Sequence, residues 1–164
     1  LDAAFVHPRS AGKHPDETAR MARESLLLCE AAGFDVVLIE CTGTMQSLAA
    51  ITDVVDCHLA LMPSSLDDAS TASGEAILET ADIVVVNSLD ETRDSRLMQD
   101  TETYQRILSM RQSDTSWSPP VLACNTLSEG GLDELWQQVR LHRRQMIDTG
   151  EFIERRERQN AQWC

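Results

Sequence analysis

Short apolar runs alternate with longer amphipathic stretches along this chain. Runs rich in Val, Ile, Leu and Ala predict β-strands at residues 3–7, 35–40, 57–62, 82–87 and 121–125. Apolar positions at helical spacing predict helices over residues 15–32, 46–54, a stretch ending near 80, 97–111 and 131–148. Strands that alternate with helices are typical of βαβ units. The pattern therefore predicts an α/β fold: a doubly wound, mostly parallel sheet with helices on both faces.

Three of these strands, at 35–39, 57–62 and 82–86, are apolar throughout, which predicts that both of their faces are covered. In open parallel sheets the ligand binds beyond the carboxyl ends of the strands. Four loops leave the predicted strands at that edge, and they span residues 41–46, 63–68, 87–93 and 125–131.

Polar residues with possible chemistry follow three of the strands. They read ECTG (40–43), NSLD (87–90) and CNTLSEGGLDELW (124–136). Taken alone, each is adequately explained as a strand end followed by turn-forming residues. In the last segment Ser128 is a candidate helix cap, and Leu135 and Trp136 are expected to lie in the core.

Charge is distributed unevenly. Between Glu24 and Glu91 the sequence has 13 acidic residues, the two ends included, and no Lys or Arg, in a chain of net charge −13. Phosphate binding by a nucleic-acid-binding protein needs a basic surface, so nucleic acid is not expected as a partner. With 164 residues and 42% hydrophobic residues, the chain has the length of one domain with a real core.

The apolar runs are too short for a transmembrane helix, and no signal-peptide pattern is visible, so no membrane partner is expected. Five scattered cysteines without a CxxC pair indicate neither a disulfide framework nor a zinc motif, which favours the cytoplasm. Cys57 and His58 are adjacent within an apolar run, where a buried structural pair is favoured over a metal site.

The order of the three loops points to a family. The chain resembles the MeaB/ArgK group of P-loop GTPases, which assist cobalamin-dependent methylmalonyl-CoA mutase. The resemblance covers nearly the whole chain. Four segments carry it: LLLCEAAGFDVVLIECTGTMQS (26–47), AILETADIVVVNSLD (76–90), WSPPVLACNTLSEGGLDELWQQV (117–139) and ERRERQNAQW (154–163).

The resemblance implies a P-loop GTPase-like G domain that is N-terminally truncated. Residues 1–150 would form the partial G domain, and residues 151–164 would begin a C-terminal helical arm through which such proteins form homodimers. The basic tail RLHRRQMIDTGEFIERRERQNAQWC (140–164) is also explained by a solvated amphipathic helix. The implied function is GTP binding and hydrolysis by a chaperone of a cobalamin-dependent acyl-CoA mutase, with GTP or GDP and Mg²⁺ as cofactors.

The resemblance also implies roles for the residues of the first loop. Glu40 would act on Mg²⁺ through water, which makes it both a catalytic and a metal-site candidate. The amide of Gly43 would sense the γ-phosphate, and Gln46 belongs to the same catalytic loop. Asp68 matches an acidic position in a region tied to communication with the mutase.

The other two loops would read the base. Asn87 and Asp90 match the first and last residues of the Asn-Lys-x-Asp motif, whose Asp accepts two hydrogen bonds from guanine. Asn125, Thr126 and Leu127 match a Ser-Ala-Leu loop whose backbone N–H meets the guanine carbonyl, and a backbone contact survives these substitutions.

Four departures from the family pattern bear on activity. The sequence contains no G-x-x-x-x-G-K-[ST], which supplies the phosphate cradle. The loop of residues 7–25 lacks the paired glycines expected of the family. Ser88 replaces the base-motif Lys, and Thr71 and Gly74 replace a Gln and a Lys. GTP binding is therefore expected to be weak, and hydrolysis negligible, for this chain alone.

Three interpretations stay open. The chain could be part of an active G domain, since the family's phosphate loop lies upstream of the matched region. It could be a non-catalytic relative without a P-loop that serves as a protein-interaction module. The third is an unrelated doubly wound domain with another ligand at the same edge. The sequence begins with Leu1, which leaves open whether this is the natural start.

Overall fold

A computed structural model describes residues 6, 15–41, 51–63, 72–88, 94–110, 115–125, 128 and 130–162. The chain divides into two compact units, residues 1–54 and residues 55–164.

The first unit contains one long helix. Helix α1 spans Pro15–Ala31, close to the predicted range of 15–32. Proline suits the first helical position, because its missing N–H has no partner there in any helix. The helix ends at Gly33, whose φ of 88° lies in the left-handed region that favours glycine. Residues 51 and 52 are helical, in agreement with the helix predicted at 46–54, and of the strand predicted at 3–7 only Val6 is described.

The strand predicted at 35–40 is wrong. Residues 36–41 form no strand, and Leu38 is 87% exposed. A strand forms only when its backbone groups pair with a neighbour. Within the described part of the first unit no other strand is available to pair with this apolar run. The β-branched composition of the run was therefore not sufficient to make it a strand.

The second unit is a βα array whose elements follow the predicted order. Its elements are β1 (Leu59–Pro63), α2 (Ala72–Thr80), β2 (Ile83–Ser88), α3 (Asp94–Ser109), β3 (Val121–Asn125), α4 (Leu132–Thr149) and α5 (Glu151–Gln162). The strands predicted at 57–62, 82–87 and 121–125 are confirmed within two residues. Gly150, with a φ of 84°, separates the last two helices.

The three strands form one parallel sheet in the order β1-β2-β3. In the central strand, Asn87 lies opposite Pro63 of β1 and opposite Cys124 of β3. The carboxyl ends of all three strands therefore reach the same edge. We call it the carboxyl edge, and the opposite one the amino edge.

Helices cover both faces of the central strand, as predicted. Val84 and Val86 pack with Leu78 of α2 and Tyr104 of α3 on one face. Ile83 and Val85 lie on the other face, where Leu135 and Val139 of α4 pack against them. All four β2 side chains are at most 1% exposed, so β2 is the core of the unit.

Two predictions about burial are wrong. Leu61 is 69% exposed, because successive side chains of a strand point to opposite faces and the described helices bury Ala60 and Met62 but not Leu61. Trp136 is 45% exposed rather than in the core, although its neighbour Leu135 packs against the sheet. Adjacent residues on a helix face directions about 100° apart, so only one of the two turns toward the strands.

Candidate functional site

The carboxyl edge brings two of the predicted base-reading residues together. Asn87 pairs with Cys124, and the next pair along the ladder is Ser88 with Asn125. Neighbouring strands lie about 4.8 Å apart, so Asn87 and Asn125 are close neighbours at the ends of β2 and β3. Parallel pairing produces this arrangement, because both strands end on the same side.

The side chain of Asn87 has an unused acceptor. Its Oδ1 atom is buried and has no hydrogen-bond partner among the described residues. An unpaired buried carbonyl costs on the order of 1–3 kcal/mol, so most such groups in folded proteins are satisfied. An orphaned amide at the end of a central strand is a group suited to receiving a donor from a ligand.

The loop after β3 folds back onto its own strand. The N–H of Asn125 donates to the carbonyl of Gly130 at 3.0 Å, and the N–H of Ser128 donates to Oδ1 of Asn125 at 3.2 Å. Gly131 follows with a φ of 85°, and a Cβ built there would lie 2.4 Å from the carbonyl oxygen of Ala123. Only glycine fits this close approach of loop and strand.

Gly131 also starts helix α4, which corrects the role expected of Ser128. The cap residue of α4 is Gly131, and among the described residues no side chain forms a cap hydrogen bond there. The hydrogen bond from the Ser128 backbone to Asn125 instead closes the turn that precedes the helix. Asp133 and Glu134 place negative charge in the first turn. This charge interacts favourably with the positive end of the helix dipole and stabilises the helix start without a side-chain cap.

The remaining predicted site residues are not brought together by the described structure. Glu40 belongs to the first unit and has an exposed side chain. The other positions lie outside the described residues: Gly43, Gln46, Asp68, Asp90, Thr126 and Leu127. The predicted roles of all these residues stay predictions.

A second polar cluster lies at the amino edge, where the sequence pattern predicted none. Asp82 immediately precedes β2, and its Oδ2 accepts the backbone N–H of His58 at 2.8 Å. The guanidinium of Arg155 donates to both carboxylate oxygens at 3.0 Å each. Burial by itself raises the pKa of Asp82, but nearby His142 and the hydrogen bonds and charge of Arg155 outweigh burial and hold it well below its usual value. Asp82 is therefore a carboxylate that is firmly held in its ionised form.

His142 completes this cluster from helix α4. Its side chain is 2% exposed, and its Nε2 lies 3.4 Å from Oδ1 of Asp82 without forming a hydrogen bond. The edge of the imidazole meets the Trp117 ring at a centroid distance of 5.0 Å. Trp117 is itself fixed, because its indole N–H donates to the backbone carbonyl of Asp82 at 2.7 Å.

Helix α5 is fastened to the same edge. Arg155 donates to the carbonyl of Asp56 at 2.7 Å in addition to binding Asp82. Arg156 pairs with the Asp56 carboxylate, and Gln159 donates to the carbonyl of Val55 at 2.9 Å. One face of α5 is thus bound within the second unit, so the tail is not simply a solvated helix. Nothing local in the sequence indicates these contacts, because Arg155 and Asp82 are 73 residues apart.

No helix within the described ranges has both the length and the apolar character needed to cross a bilayer.

Comparison with known proteins gives a match over the full sequence. The family model described as "Methylmalonyl Co-A mutase-associated GTPase MeaB" matches residues 1–164. A "Putative GTPase" of Caulobacter vibrioides is 39% identical over 98% of this chain and 49% of its own length. "GTPase ArgK" of Escherichia coli is 31% identical over 99% of this chain and 49% of its own length.

A mouse protein and a solved structure are also similar to this chain. The mouse "Methylmalonic aciduria type A homolog, mitochondrial" is 30% identical over 98% of this chain and 39% of its own length. The solved structure described as "Crystal structure of LAO/AO transport system kinase" has a TM-score of 0.80 and 29% identity, and the match covers 90% of this chain and 47% of that one. The chain spans about half the length of the bacterial relatives it matches.

Proposed function

Because this chain belongs to the MeaB family of methylmalonyl-CoA mutase-associated GTPases, we propose that it supplies the guanine-binding end of a GTP site. The observation that carries this proposal is the meeting of Asn87 and Asn125 at the carboxyl edge of a parallel sheet. Ligands bind at this edge in doubly wound folds, and the buried, unpartnered Oδ1 of Asn87 is oriented by the core strand.

The proposed reading of the base rests on donor and acceptor chemistry. Asp90, two residues after β2, would accept the N1–H and exocyclic amine of guanine. Adenine lacks this pair of donors and would leave a carboxylate without partners, which is costly in a site closed to water. The loop of Asn125, Thr126 and Leu127 would offer a backbone N–H to the guanine carbonyl.

The phosphate end of the site is proposed from the match of residues 40–46 to the family's catalytic loop. Glu40 would hold Mg²⁺ through water, with Gly43 at the γ-phosphate and Gln46 in the same loop. The metal would neutralise charge that develops during phosphoryl transfer. The 164 residues contain no G-x-x-x-x-G-K-[ST] to cradle the phosphates, so they would supply the base-reading end of the proposed site and only part of its phosphate end. We therefore propose that this chain by itself binds GTP weakly and does not hydrolyse it at a measurable rate.

Isothermal titration of the chain with GTP, GDP and ATP in saturating Mg²⁺ tests this proposal. Guanine nucleotides should bind weakly but better than ATP, and exchange of Asp90 to Asn should remove that preference. Equal binding of GTP and ATP would contradict guanine recognition. A dissociation constant in the micromolar range or below would contradict weak binding.

The mutase partnership is proposed from the family description alone. We propose that the protein protects or reloads a cobalamin-dependent acyl-CoA mutase, with Asp68 near the contact. Residues 1–150 would act as the partial G domain, and 151–164 would lead into the arm of a homodimer. Four cysteines, Cys29, Cys41, Cys57 and Cys124, are free thiols, which favours a reducing compartment such as the cytoplasm. Co-purification with the mutase, compared between wild type and Asp68→Ala, tests the contact, and equal recovery of both would contradict a role for Asp68.

A second candidate function, a protein-interaction module without catalysis, is favoured by Ser88. This residue ends β2 where the family motif has Lys, and serine cannot lay an apolar stem over a bound nucleotide. Thr71 in place of a Gln, and Gly74 and Ser88 in place of lysines, are compatible with a scaffold that keeps the fold but not the ligand. Mutase capture that is unchanged by GTP, GDP or nucleotide removal would favour this function, and capture that depends on nucleotide would favour the first.

A further inference from the structure

Three side chains from distant parts of the sequence converge at the amino edge. The Sγ of Cys57, a carboxylate oxygen of Asp82 and a ring nitrogen of His142 all lie within 4.8 Å of one another. Cys57 lies just before β1, Asp82 just before β2, and His142 in the middle of α4. The cluster is at the opposite end of the sheet from the proposed nucleotide site, so it has no part in that function.

We propose that Cys57, Asp82 and His142 form a zinc-binding site. Thiolate, imidazole and carboxylate are the three side-chain donors that zinc uses in proteins. The mixture of a soft sulfur with a nitrogen and an oxygen favours Zn²⁺ over Mg²⁺ or Ca²⁺, which prefer oxygen donors alone. Three protein donors leave the fourth tetrahedral position for a solvent oxygen.

The distance between the two non-sulfur donors fits this geometry. Zinc bonds to nitrogen and oxygen of about 2.0–2.1 Å place tetrahedral neighbours about 3.4 Å apart. His142 Nε2 and Asp82 Oδ1 are 3.4 Å apart. The separation suits two ligands on one metal ion, and it is also within ion-pair distance, so the two arrangements must be distinguished by experiment.

The state of His142 is a second, independent observation. The side chain is 2% exposed, and Nε2 points into the cluster with no hydrogen-bond partner among the described residues. A buried ring nitrogen without a partner is costly, and a metal ion would remove that cost. The edge contact with Trp117 holds the plane of the imidazole. A fixed ring with an available nitrogen is the arrangement that a metal ligand requires.

Arg155 places a positive charge beside this site and must be compatible with it. Its guanidinium binds both oxygens of Asp82, and His58 N–H binds one of them. An ionised carboxylate offers about four acceptor positions, so these bonds leave room for a metal at Oδ1. Such outer bonds to a ligating carboxylate fix its direction toward the ion. The charge of Arg155 weakens the attraction for Zn²⁺, and the thiolate of Cys57 offsets it.

Binding would deprotonate Cys57. Burial first, and then the charge of Asp82, raise the pKa of this thiol to about 12, so it is protonated at neutral pH without a metal. Zinc would take the thiolate and release one proton to solvent. The sequence favoured a structural role for Cys57 and His58 together. The structure instead places His58 on Thr80, with its Nδ1 3.1 Å from the hydroxyl, and puts distant His142 beside Cys57.

The competing arrangement is an ion pair of protonated His142 with Asp82 and no metal. Titration of the metal-free chain with Co²⁺, a spectroscopic substitute for zinc, distinguishes the two. We expect one Co²⁺ per chain, intense visible bands of tetrahedral coordination, a near-ultraviolet sulfur-to-cobalt band, and displacement of all of these by one equivalent of Zn²⁺. The zinc form should also unfold at a higher temperature than the metal-free form.

Two variants and one control assign the donors. Cys57→Ser should abolish the sulfur-to-cobalt band and weaken binding more than the about 10- to 100-fold typical of outer-shell changes. His142→Gln should weaken binding similarly but keep the sulfur band at high Co²⁺. Cys29→Ser, which removes a thiol on α1, should bind as wild type does. Circular dichroism shows whether each variant folds, and the wild-type spectra and melting shift stand without the variants.

Each contrary result overturns the site. A wild-type spectrum with weak octahedral bands and no sulfur band would leave the ion pair as the correct arrangement. Loss of the sulfur band in Cys29→Ser, or its survival in a folded Cys57→Ser protein, would place the metal elsewhere.

Discussion

Ser88 is the residue at which the chain departs most directly from the guanine-binding motif. It ends β2 next to Asn87 and is the register partner of Asn125 in the β2–β3 ladder. Exchange of Ser88 for Lys should therefore leave the sheet intact and restore an apolar stem over the nucleotide. The gain is on the order of 1–2 kcal/mol, so GTP should bind about ten-fold or more tighter. Isothermal titration in Mg²⁺ measures it.

The control for this variant is Ser109→Lys. It adds the same positive charge at the last residue of α3, where a cation is compatible with the helix dipole. An equal gain in the control would mean that net charge, and not the stem at position 88, strengthens binding.

Gly131 and Gly150 allow two causes of strain to be separated. Their φ values are 85° and 84°, but a Cβ at Gly131 meets the Ala123 carbonyl at 2.4 Å, whereas one at Gly150 meets nothing within 4 Å. Gly150→Ala should cost about 1 kcal/mol from backbone strain alone. Gly131→Ala should cost about 2 kcal/mol more, because the loop must move away from β3.

Urea unfolding of the two alanine variants gives the difference directly. Equal losses of unfolding free energy would mean that the 125–131 loop can move away from β3 without loss of stability. The loop would then not hold Asn125 in place.

Single residues also mark the limit of prediction from sequence. The juxtaposition of Asn87 and Asn125 was predictable, since each follows an apolar run and parallel strands end at one edge. The cluster of Asp82, His142 and Arg155 was not. Asp82 precedes β2, His142 lies on α4 and Arg155 on α5, and only the packing of these helices in the fold brings the three together.

Helix α5 is held at the amino edge by the ion pair of Arg155 with Asp82. Arg155 is 20% exposed and Asp82 13% exposed, so the pair is shielded from solvent. Arg155 also binds the Asp56 carbonyl. Arg155→Ala should leave the Asp82 carboxylate without its main partner, and the protein should lose about 3 kcal/mol of unfolding free energy.

Arg158→Ala is the matched control, because Arg158 lies on the same helix with an exposed side chain. It should change stability by less than about 0.5 kcal/mol. Thermal and urea unfolding compare the two variants, and similar losses would mean that α5 is held by its helical charge as a whole rather than by the Asp82 pair.

At the scale of elements, type and order were easier to predict than pairing. The helices at 15–31, 94–109 and 132–149 have clear periodicity, and Pro15 and Gly150 mark their ends. Residues 35–40 looked as strand-like as 82–87 did. Only the second run found two neighbours, and pairing is a property of the fold rather than of the segment.

For the whole molecule, the net charge of −13 sets the salt dependence of anion binding. A nucleotide phosphate approaching this chain is repelled on average, and salt screens the repulsion as the Debye length falls from about 30 Å at 0.01 M to about 8 Å at 0.15 M. GTP affinity should therefore rise severalfold over that range at saturating Mg²⁺. Guanosine, which has no phosphate, should show no such change.

Titration calorimetry at the two salt concentrations measures both ligands. A steep fall of GTP affinity with salt would instead indicate a local cationic site that dominates over the total charge.

The overall class of fold could be predicted because it depends on the alternation of strands and helices, which composition and spacing encode. The number of paired strands could not be predicted. Five strands were predicted, and three of them appear in the described sheet. Side-chain burial was likewise predictable in part. Residues of the central strand matched expectation, and Leu61 on the edge strand did not.

The exposed side chain of Leu61 has a consequence for handling the protein in solution. Among the described residues it sits on the edge strand of the sheet, where backbone N–H and C=O groups beyond the β2 ladder offer a template for another strand. An apolar edge without a lysine or proline inside it lacks the usual protection against aggregation, and the only proline of β1 is its last residue. Concentrated samples would then tend to form sheet-extended oligomers, and a charged residue at position 61 is the smallest change that would suppress them.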